Sequence, residues 1–439
     1  MLSAALWKTY FRFRDLASWW ADTDRFLELR PDAARRDMAG RLLGQVRHFA
    51  SRPDALPEWK DAAKITEPED LWRLWPSLPI LQKEDLRTRF NPSEMIRRMG
   101  LEGVVSATGG STGEPTPYLH DRGMLRATTA TRLYCRLKFG WTPGMATVGV
   151  WGSERDIGKQ RSLRNQVSSR LRNDWMVDGY ALDQGTVDAF LGLLRRHRTV
   201  AVFGFSSMLE FVARETLARG DGAPSHHVRT AWNGGEMLYE PQSALFERAF
   251  DVPIRNLYGG RELGAMAYQW DRGRSLRVLR PWVLPEIVDD DGKRVSPGES
   301  GRLVFTSTVC RGTPFLRYDI GDIGRSDAHS ENESGIVALK HLEGRSAGLI
   351  RLPDGRTVSC LYWNHLFKEF HEVRQFQIVG HSDCSIDIRL LGDRMSPDRD
   401  DRLRATLREF LGPARFSVTY VDALPRSREG KLQQTLREP

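Results

Sequence analysis

The chain has little with which to build a metal site or a disulfide framework. Its four cysteines, Cys135, Cys310, Cys360 and Cys384, are scattered through 439 residues. They form no C-x-x-C pair, so neither a zinc knuckle nor a disulfide framework is suggested. The ten histidines include no H-E-x-x-H, and the neighbouring His226 and His227 would point to opposite sides of a strand. No metal site made of protein ligands alone is expected. No apolar run reaches the ~18 residues of a membrane span. The opening "LSAALW" is too short for the apolar stretch of a signal peptide, and "KTYFRFR" follows it directly. A cytoplasmic protein is expected. Basic residues are abundant, but no tract of about five to eight of them occurs, so the pattern does not point to nucleic acid. Internal repeats and low-complexity tracts are absent too.

What is present is a globular composition, 40% hydrophobic and 28% charged, with a formal net charge of +8. The length allows two or three domains with real cores. The positive balance suits anionic ligands such as nucleotides or coenzyme A, although a solvated arginine-rich surface accounts for most of it. The N-terminal "WKTYFRFRDLASWW" sets Trp7, Tyr10, Phe11, Phe13, Trp19 and Trp20 among Lys8, Arg12 and Arg14. A helix made of it would either lie on a membrane surface or pack its aromatics on the core. The second is expected, with peripheral membrane contact as the alternative.

The pattern along the chain predicts an α/β protein. Residues 1–100 form a mostly helical lead, as in "DAARRDMAGRLLGQVRHFA". Short apolar runs then alternate with helical segments: "GVVSA", "ATVGVWG", "TVAVFGF" and "HVRTAW" against "TVDAFLGLLRRH", "SSMLEFVARETLAR" and "EPQSALFERAF". That alternation predicts parallel strands with crossover helices. From about 276 ("LRVLRPWVLPEIVD", "RLVFTSTV") an antiparallel sheet or small barrel fits. After about 344, "RQFQIVG", "SIDIRLL", "DDRLRATLREFL" and "RFSVTYV" read as a compact α+β unit.

One stretch demands an explanation. "SATGGSTGEPTPY", 106–118, cannot be the middle of a helix or a buried strand. Its glycines cost backbone entropy. Three readings compete: a phosphate-binding loop using backbone N–H groups with Ser111 and Thr112 hydroxyls, a G-x-S-x-G nucleophile elbow on Ser111, or a plain surface loop. A Walker A loop is excluded because G-K-[ST] is missing. The elbow needs a helix to start at the serine, and Glu114-Pro115-Thr116-Pro117 follows instead. Two extended segments, "GVVSAT" and "TPYLHD", around a glycine-rich tip fit better.

Further segments place polar residues beside glycine at the ends of apolar runs. "TAWNGGEML" offers Gly234, Gly235 and Glu236 where a strand passes into a helix. "PIRNLYGGRELG" ends a strand with Tyr258 and offers Arg261 and Glu262. "FLRYDIGDIG" presents Asp319 and Asp322, "HLEGRSAGLI" holds Arg345, and "PRSREGKLQQ" holds Lys431. Singly, each reads as a turn, a cap or a solvated side chain. Together they suit the crevice beyond the carboxyl ends of a parallel sheet.

In that order and spacing the series resembles the adenylate-forming superfamily of acyl-CoA synthetases and nonribosomal adenylation domains, and within it the phenylacetate–CoA ligase and CapK-like branch. The resemblance covers nearly the whole chain. It implies an N-terminal adenylation domain (1–343) that binds ATP and a carboxylic acid, and a small mobile C-terminal lid (344–439). It implies ATP-dependent formation of an acyl-adenylate and pyrophosphate, followed by transfer to a thiol, by default from an aromatic acid to coenzyme A. Transfer to an amine or hydroxyl in polysaccharide or natural-product biosynthesis is the alternative, and a serine hydrolase using Ser111 is the alternative from another class.

The resemblance also implies roles. Thr108, Gly109, Gly110, Ser111, Thr112 and Gly113 would hold the phosphates. Glu262 would ligate magnesium. Tyr258 and Gly259 would lie against the adenine, with Gly234, Gly235 and Glu236 on its other side. Asp322 would accept from the ribose hydroxyls, with Arg345 nearby. Lys431 would sit between carboxylate and α-phosphate. "FGFSS" (203–207), Trp232 and the 258–266 loop would border the acyl pocket. Arg261, which would contact phosphate, stands where the superfamily has serine or threonine, Tyr318-Asp319-Ile320-Gly321-Asp322 where it has Y-x-T-G-D, and Gly344-Arg345-Ser346-Ala347-Gly348 where it has G-R-x-D-D.

Overall fold

The structure is a computed structural model and describes residues 7, 9, 11, 15–108, 115–151, 163–179, 183–220, 227–271, 273–345, 350–354, 357–358, 363, 366–367, 369–426 and 432–438. The glycine tip at 109–114, the hinge residues 346–348 and Lys431 lie outside them.

The helical lead comprises α1 (Leu16–Glu28), α2 (Pro31–Ala50), α3 (Pro57–Ala62), α4 (Leu71–Leu74), α5 (Lys83–Arg87) and α6 (Pro92–Met99). Proline at the first position starts α2 with its φ preset. Ala34, Met38, Leu42, Val46 and Phe49 then fall on one face and are all buried. That face packs with Leu284, Ile287, Phe305 and Tyr318 in one core. Each fully buried large side chain there contributes roughly 1.5–3 kcal/mol. Of the N-terminal aromatics, Trp7 is buried and Phe11, Trp19 and Trp20 pack partly buried against the same core; the Trp7 indole donates to Arg172 O at 3.2 Å and the Trp20 indole to Ala130 O at 3.0 Å, while Tyr10 and Phe13 lie outside the described residues.

Strands β1 (Val104–Ala107) and β2 (Pro117–His120) pair antiparallel, Ala107 opposite Pro117. The expected pair of extended segments is therefore a hairpin apart from the parallel sheet. Helix α7 (Arg122–Lys138) follows, capped by Asp121, whose Oδ1 accepts from Met124 N.

The parallel sheet takes β3 (Ala146–Trp151), β4 (Asp174–Asp178), β5 (Val200–Gly204), β6 (Val228–Asn233) and β7 (Ile254–Arg255) in the order β4-β3-β5-β6-β7. Its crossovers contain α8 (Leu163–Arg172), α9 (Gln184–Arg196), α10 (Ser206–Arg219) and α11 (Glu240–Phe250). The chain leaves β3 toward β4 and leaves β5 toward β6, so the order reverses between β3 and β5. In open α/β sheets ligands lie outside the carboxyl ends at such a point.

The antiparallel sheet begins earlier than expected. Strand β8 (Leu257–Gly260) already belongs to it and turns back into β9 (Gly264–Gln269). Tyr258 therefore sits inside a hairpin strand and not at the end of a parallel one. Gly259 allows the pairing, because an added Cβ would lie 2.3 Å from Gly264 O. The sheet continues with β10 (Leu276–Val278), β11 (Val283–Val288), β12 (Ser300–Ser307) and β13 (Tyr318–Ser326). A short hairpin of β14 (Glu331–Asn332) and β15 (Gly335–Ile336) precedes β16 (Ala338–Arg345), giving the order β11-β12-β13-β16-β10-β9-β8. Strand β16 stays in this sheet through Arg345, which pairs with Asp322.

The C-terminal unit has its own core. Strands β17 (Ile350–Arg351) and β18 (Thr357–Val358) form a ribbon. Then β19 (Val373–Gly380), β20 (Ile386–Gly392), β21 (Phe416–Tyr420) and β22 (Thr435–Arg437) form a four-stranded sheet, with α12 (Pro397–Leu411) before β21. Among the described residues no helix is long and apolar enough to cross a membrane.

Candidate active site

The neck of the glycine loop is closed by two threonines. Thr108 N donates to Thr116 O at 2.9 Å, and Thr116 N donates to Thr108 Oγ1 at 3.0 Å. Both residues are buried. The Thr108 hydroxyl oxygen thus has a structural partner that the sequence did not suggest. No helix starts between β1 and β2 in the described residues, so the strand–turn–helix of a nucleophile elbow is not formed there.

His120, at the end of β2, ties this hairpin to the "YGGRELG" turn. Its Nε2 lies 2.6 Å from Glu262 O, a contact made by an Nε2–H donor. Burial holds the imidazole pKa below its ordinary value, against the opposing carbonyl hydrogen bond. Glu262 itself is buried. Among the described residues its carboxylate has no hydrogen-bond or ion-pair partner; an added Cβ on Gly260 would lie 3.1 Å from its Oε2. A carboxylate kept so close to bare glycine backbone, with open lone pairs, fits a hard cation. No group of three or more His, Cys, Asp or Glu able to hold a metal occurs among the described residues. A magnesium ion there would take its other ligands from phosphate and water, which is its habit.

The two aspartates of "YDIGDIG" separate. Asp319 is buried, pairs with Arg302 at 2.6 Å and accepts from Gly321 N, so it shapes the strand. Asp322 accepts from the Tyr258 hydroxyl at 2.7 Å. The adenine and ribose candidates are therefore joined side chain to side chain. Arg345 stands opposite Asp322 in the ladder.

The "WNGGE" segment differs from expectation. The helix begins only at Glu240. The backbone first turns through Gly235, whose φ of 76° suits glycine. Asn233 holds this turn: its Nδ2 donates to Ser206 Oγ and Glu236 O, and its Oδ1 accepts from Leu257 N. Asn233 thereby fixes the Glu236 turn to the residue beside Tyr258. Gly234 N donates to Gly204 O at the end of β5.

Glu236 has a structural task of its own. The residue before α10, Phe205, has no side chain able to cap a helix. Glu236 caps it from another loop: Oε2 accepts from Ser207 N at 2.9 Å and Oε1 from Ser207 Oγ at 3.1 Å. The same Oε1 accepts from Leu432 N at 2.9 Å, and Arg426 donates to Ser207 Oγ at 3.3 Å. Arg426 and Leu432 bridge to each other and flank 427–431, so the C-terminal unit is seated at the carboxyl end of β5 and β6.

At the reversal point, Trp151 ends β3 and stacks on Phe203 at 4.9 Å between centroids, with Phe205 at 3.8 Å. Trp232 departs from expectation. It is 1% exposed, clamped between Phe139 and Phe203, and so belongs to the core and not to a pocket wall.

No protein-family model matches the chain. A phenylacetate–coenzyme A ligase of Thermus thermophilus is 24% identical over 258 residues, 56% of this chain and 55% of that relative. The match thus spans about half the length of that curated relative. The crystal structure of a 2-hydroxyisobutyryl-CoA ligase in the postadenylation state, in complex with R3-HIB-AMP, superposes with a TM-score of 0.70 at 14% identity. That likeness covers 93% of this chain and 90% of that one. The chain has the fold of the adenylate-forming acyl-CoA ligases. The same ligase in its thioesterification state, with 2-HIB-AMP and CoA, scores 0.57 at 16% identity, covering 93% of this chain and 91% of that one.

Asn233, His120 and Arg426 are residues of the candidate site that sequence reasoning passed over, while Ser207, expected at the border of the acyl pocket, instead bonds Glu236. Asn233 adjoins the glycine pair and so stood beside a recognised signal. His120 and Arg426 carry no local signature.

Proposed function

We propose that the chain is an ATP-dependent carboxylate-activating ligase working in two half-reactions. A carboxylate oxygen attacks the α-phosphorus of ATP, the bond to the β-phosphate oxygen breaks, and pyrophosphate leaves. An acceptor thiol, deprotonated as it attacks, then displaces AMP from the acyl carbon. The observation that carries the reading is the seating of Arg426 and Leu432 on Ser207 and Glu236. The residues that flank 427–431 thus lie at the carboxyl end of the parallel sheet, next to the turn that leads to Tyr258, which supports a role for Lys431 in the reaction.

In this reading the 109–113 loop, held at its neck by Thr108 and Thr116, offers N–H and hydroxyl donors to the phosphates. Tyr258 supplies a flat face for adenine and Asp322 accepts from the ribose. Glu262 offers a magnesium ligand, and the bound ion would neutralise charge on the departing pyrophosphate. Lys431 stands between two anions whose repulsion raises the first barrier. The partly buried rings of Trp151 and Phe203, stacked on each other, support an aromatic acid as substrate, since flat rings stack favourably on one another. Coenzyme A is the proposed acceptor.

The test is carboxylate-dependent exchange of labelled pyrophosphate into ATP over a panel of aliphatic and aromatic acids. Exchange with an aromatic acid supports the reading. Absence of exchange with every acid, together with labelling of Ser111 by a fluorophosphonate probe, would replace it with a hydrolase. Supplying coenzyme A, amines or alcohols to the preformed adenylate identifies the acceptor.

A further inference from the structure

Glu236 is a well-connected carboxylate of the candidate site with no assigned task beyond lining it. Glu236 receives two donors from the large domain, Ser207 N and Ser207 Oγ, and one from the C-terminal unit, Leu432 N. Ser207 Oγ passes its proton toward Glu236 and accepts from Arg426 Nη1, so every hydrogen in the bridge has one acceptor. The turn that carries Glu236 is braced by Asn233, which is fully buried. It is a hydrogen-bonded turn that meets a unit with its own core.

We infer that Glu236 is a positioning residue that docks the C-terminal unit for the adenylation half-reaction. The inference rests on the ligase reading for its kinetic part alone. A carboxylate at a helix N-terminus is already preorganised by the exposed N–H groups of α10. It therefore accepts the incoming Leu432 N–H without reorganising. Arg426 adds charge complementarity across the joint. Burial works against both charges, pushing the Glu236 carboxyl up and the Arg426 guanidinium down, while each charge partly offsets the shift of the other. A half-buried charge that gains its full set of donors only when the two units meet makes docking specific in position. Undocking, which a second half-reaction in another lid pose would need, leaves Glu236 with its two Ser207 donors and so does not orphan it. The joint is thus strong enough to orient and weak enough to release.

A purely local capping role is the competing explanation, and two variants on opposite sides of the joint separate them. Glu236→Gln keeps an oxygen for the α10 N–H but removes the charge facing Arg426. Arg426→Ala leaves the cap untouched. Each is expected to slow pyrophosphate exchange about ten- to a hundredfold and to slow transfer from a supplied acyl-adenylate distinctly less. In parallel, labels introduced as unnatural residues at Ala189 on α9 and Ala405 on α12, both exposed, report the distance between the units. The docked distance is expected to lose population in both variants. Unaltered distance distributions in both would overturn the inference, as would equal slowing of both half-reactions. If no acid supports exchange in the unmodified chain, the ligase reading fails, yet the distance measurement still decides whether Glu236 docks the lid.

Discussion

The Tyr258 hydroxyl donates to the Asp322 carboxylate at 2.7 Å, linking two strands of one sheet, β8 and β13, which lie at its edge and in its interior. The bond fixes the ring plane and aims the carboxylate at once. Tyr258→Phe keeps the flat face and removes the donor. It should raise the KM for ATP about three- to tenfold with little change in kcat, the worth of one net hydrogen bond. Tyr258→Ala should cost more. Steady-state kinetics at varied ATP check this, and an unchanged KM in both variants removes Tyr258 from the nucleotide site.

Glu262 is buried with an open carboxylate beside Gly260. Glu262→Gln keeps size and hydrogen-bonding capacity but not charge. Its adenylation rate should fall at least a hundredfold at low magnesium and recover in part at high magnesium. A magnesium titration identical to the parent's would rule out a metal role.

Thr108 and Ser111 should respond differently. Thr108→Val leaves Thr116 N–H buried without its acceptor, at a cost of about 1–3 kcal/mol of stability. Thr108→Ser restores it, and thermal unfolding reads the difference. Ser111→Ala should spare stability and reduce activity only about ten- to a hundredfold, because a phosphate donor shares its work with several N–H groups. A covalent acyl-serine detected by mass spectrometry would contradict that role.

Lys431 should matter for one step. Lys431→Ala is expected to slow acyl-adenylate formation about a hundred- to a thousandfold and to leave thiol transfer from supplied adenylate intact. Measuring the half-reactions separately decides it. Equal loss in both would mean that the lysine serves both, and no loss in either would make it a surface side chain.

His120 predicts a pH dependence of stability. Its folded pKa lies below the ordinary 6.5 because of burial. The unfolded chain therefore binds more protons between the folded value and 6.5. The contribution is fully present above 6.5 and is lost as pH falls toward the folded value. His120→Gln should flatten that loss in urea titrations run across about pH 5 to 7. An equally steep decline in the variant would assign the effect to other groups such as His48 or His197, which burial also depresses.

Much of this was legible in the sequence, because local rules governed it. Alternating prolines forbade a helix after Ser111, and β1 and β2 form the hairpin that remains. The helix-period stripe of α2 and the apolar runs of β3, β5 and β6 announced themselves through burial on one face or on both. The ordered motifs marked Tyr258, Glu262 and Asp322, and the structure joins Tyr258 to Asp322 directly.

Other features depend on partners far along the chain, and no local pattern encodes them. Glu236 is tied to Ser207 across 29 residues and to Leu432 across 196. Its sequence neighbours show only a glycine turn. Tyr258 read as the end of a parallel strand because an apolar run precedes it, but Gly259 and Gly260 let β8 close on β9 and draw it into the other sheet. Trp232 read as a pocket wall from the family resemblance, yet Phe139 and Phe203 enclose it. Sequence determines which residues can form an element and which chemistry each side chain carries, because propensity and period act over a few residues. Only tertiary packing decides which oxygen meets which N–H, because those pairings are selected by the burial of surfaces that the chain brings together from distant places.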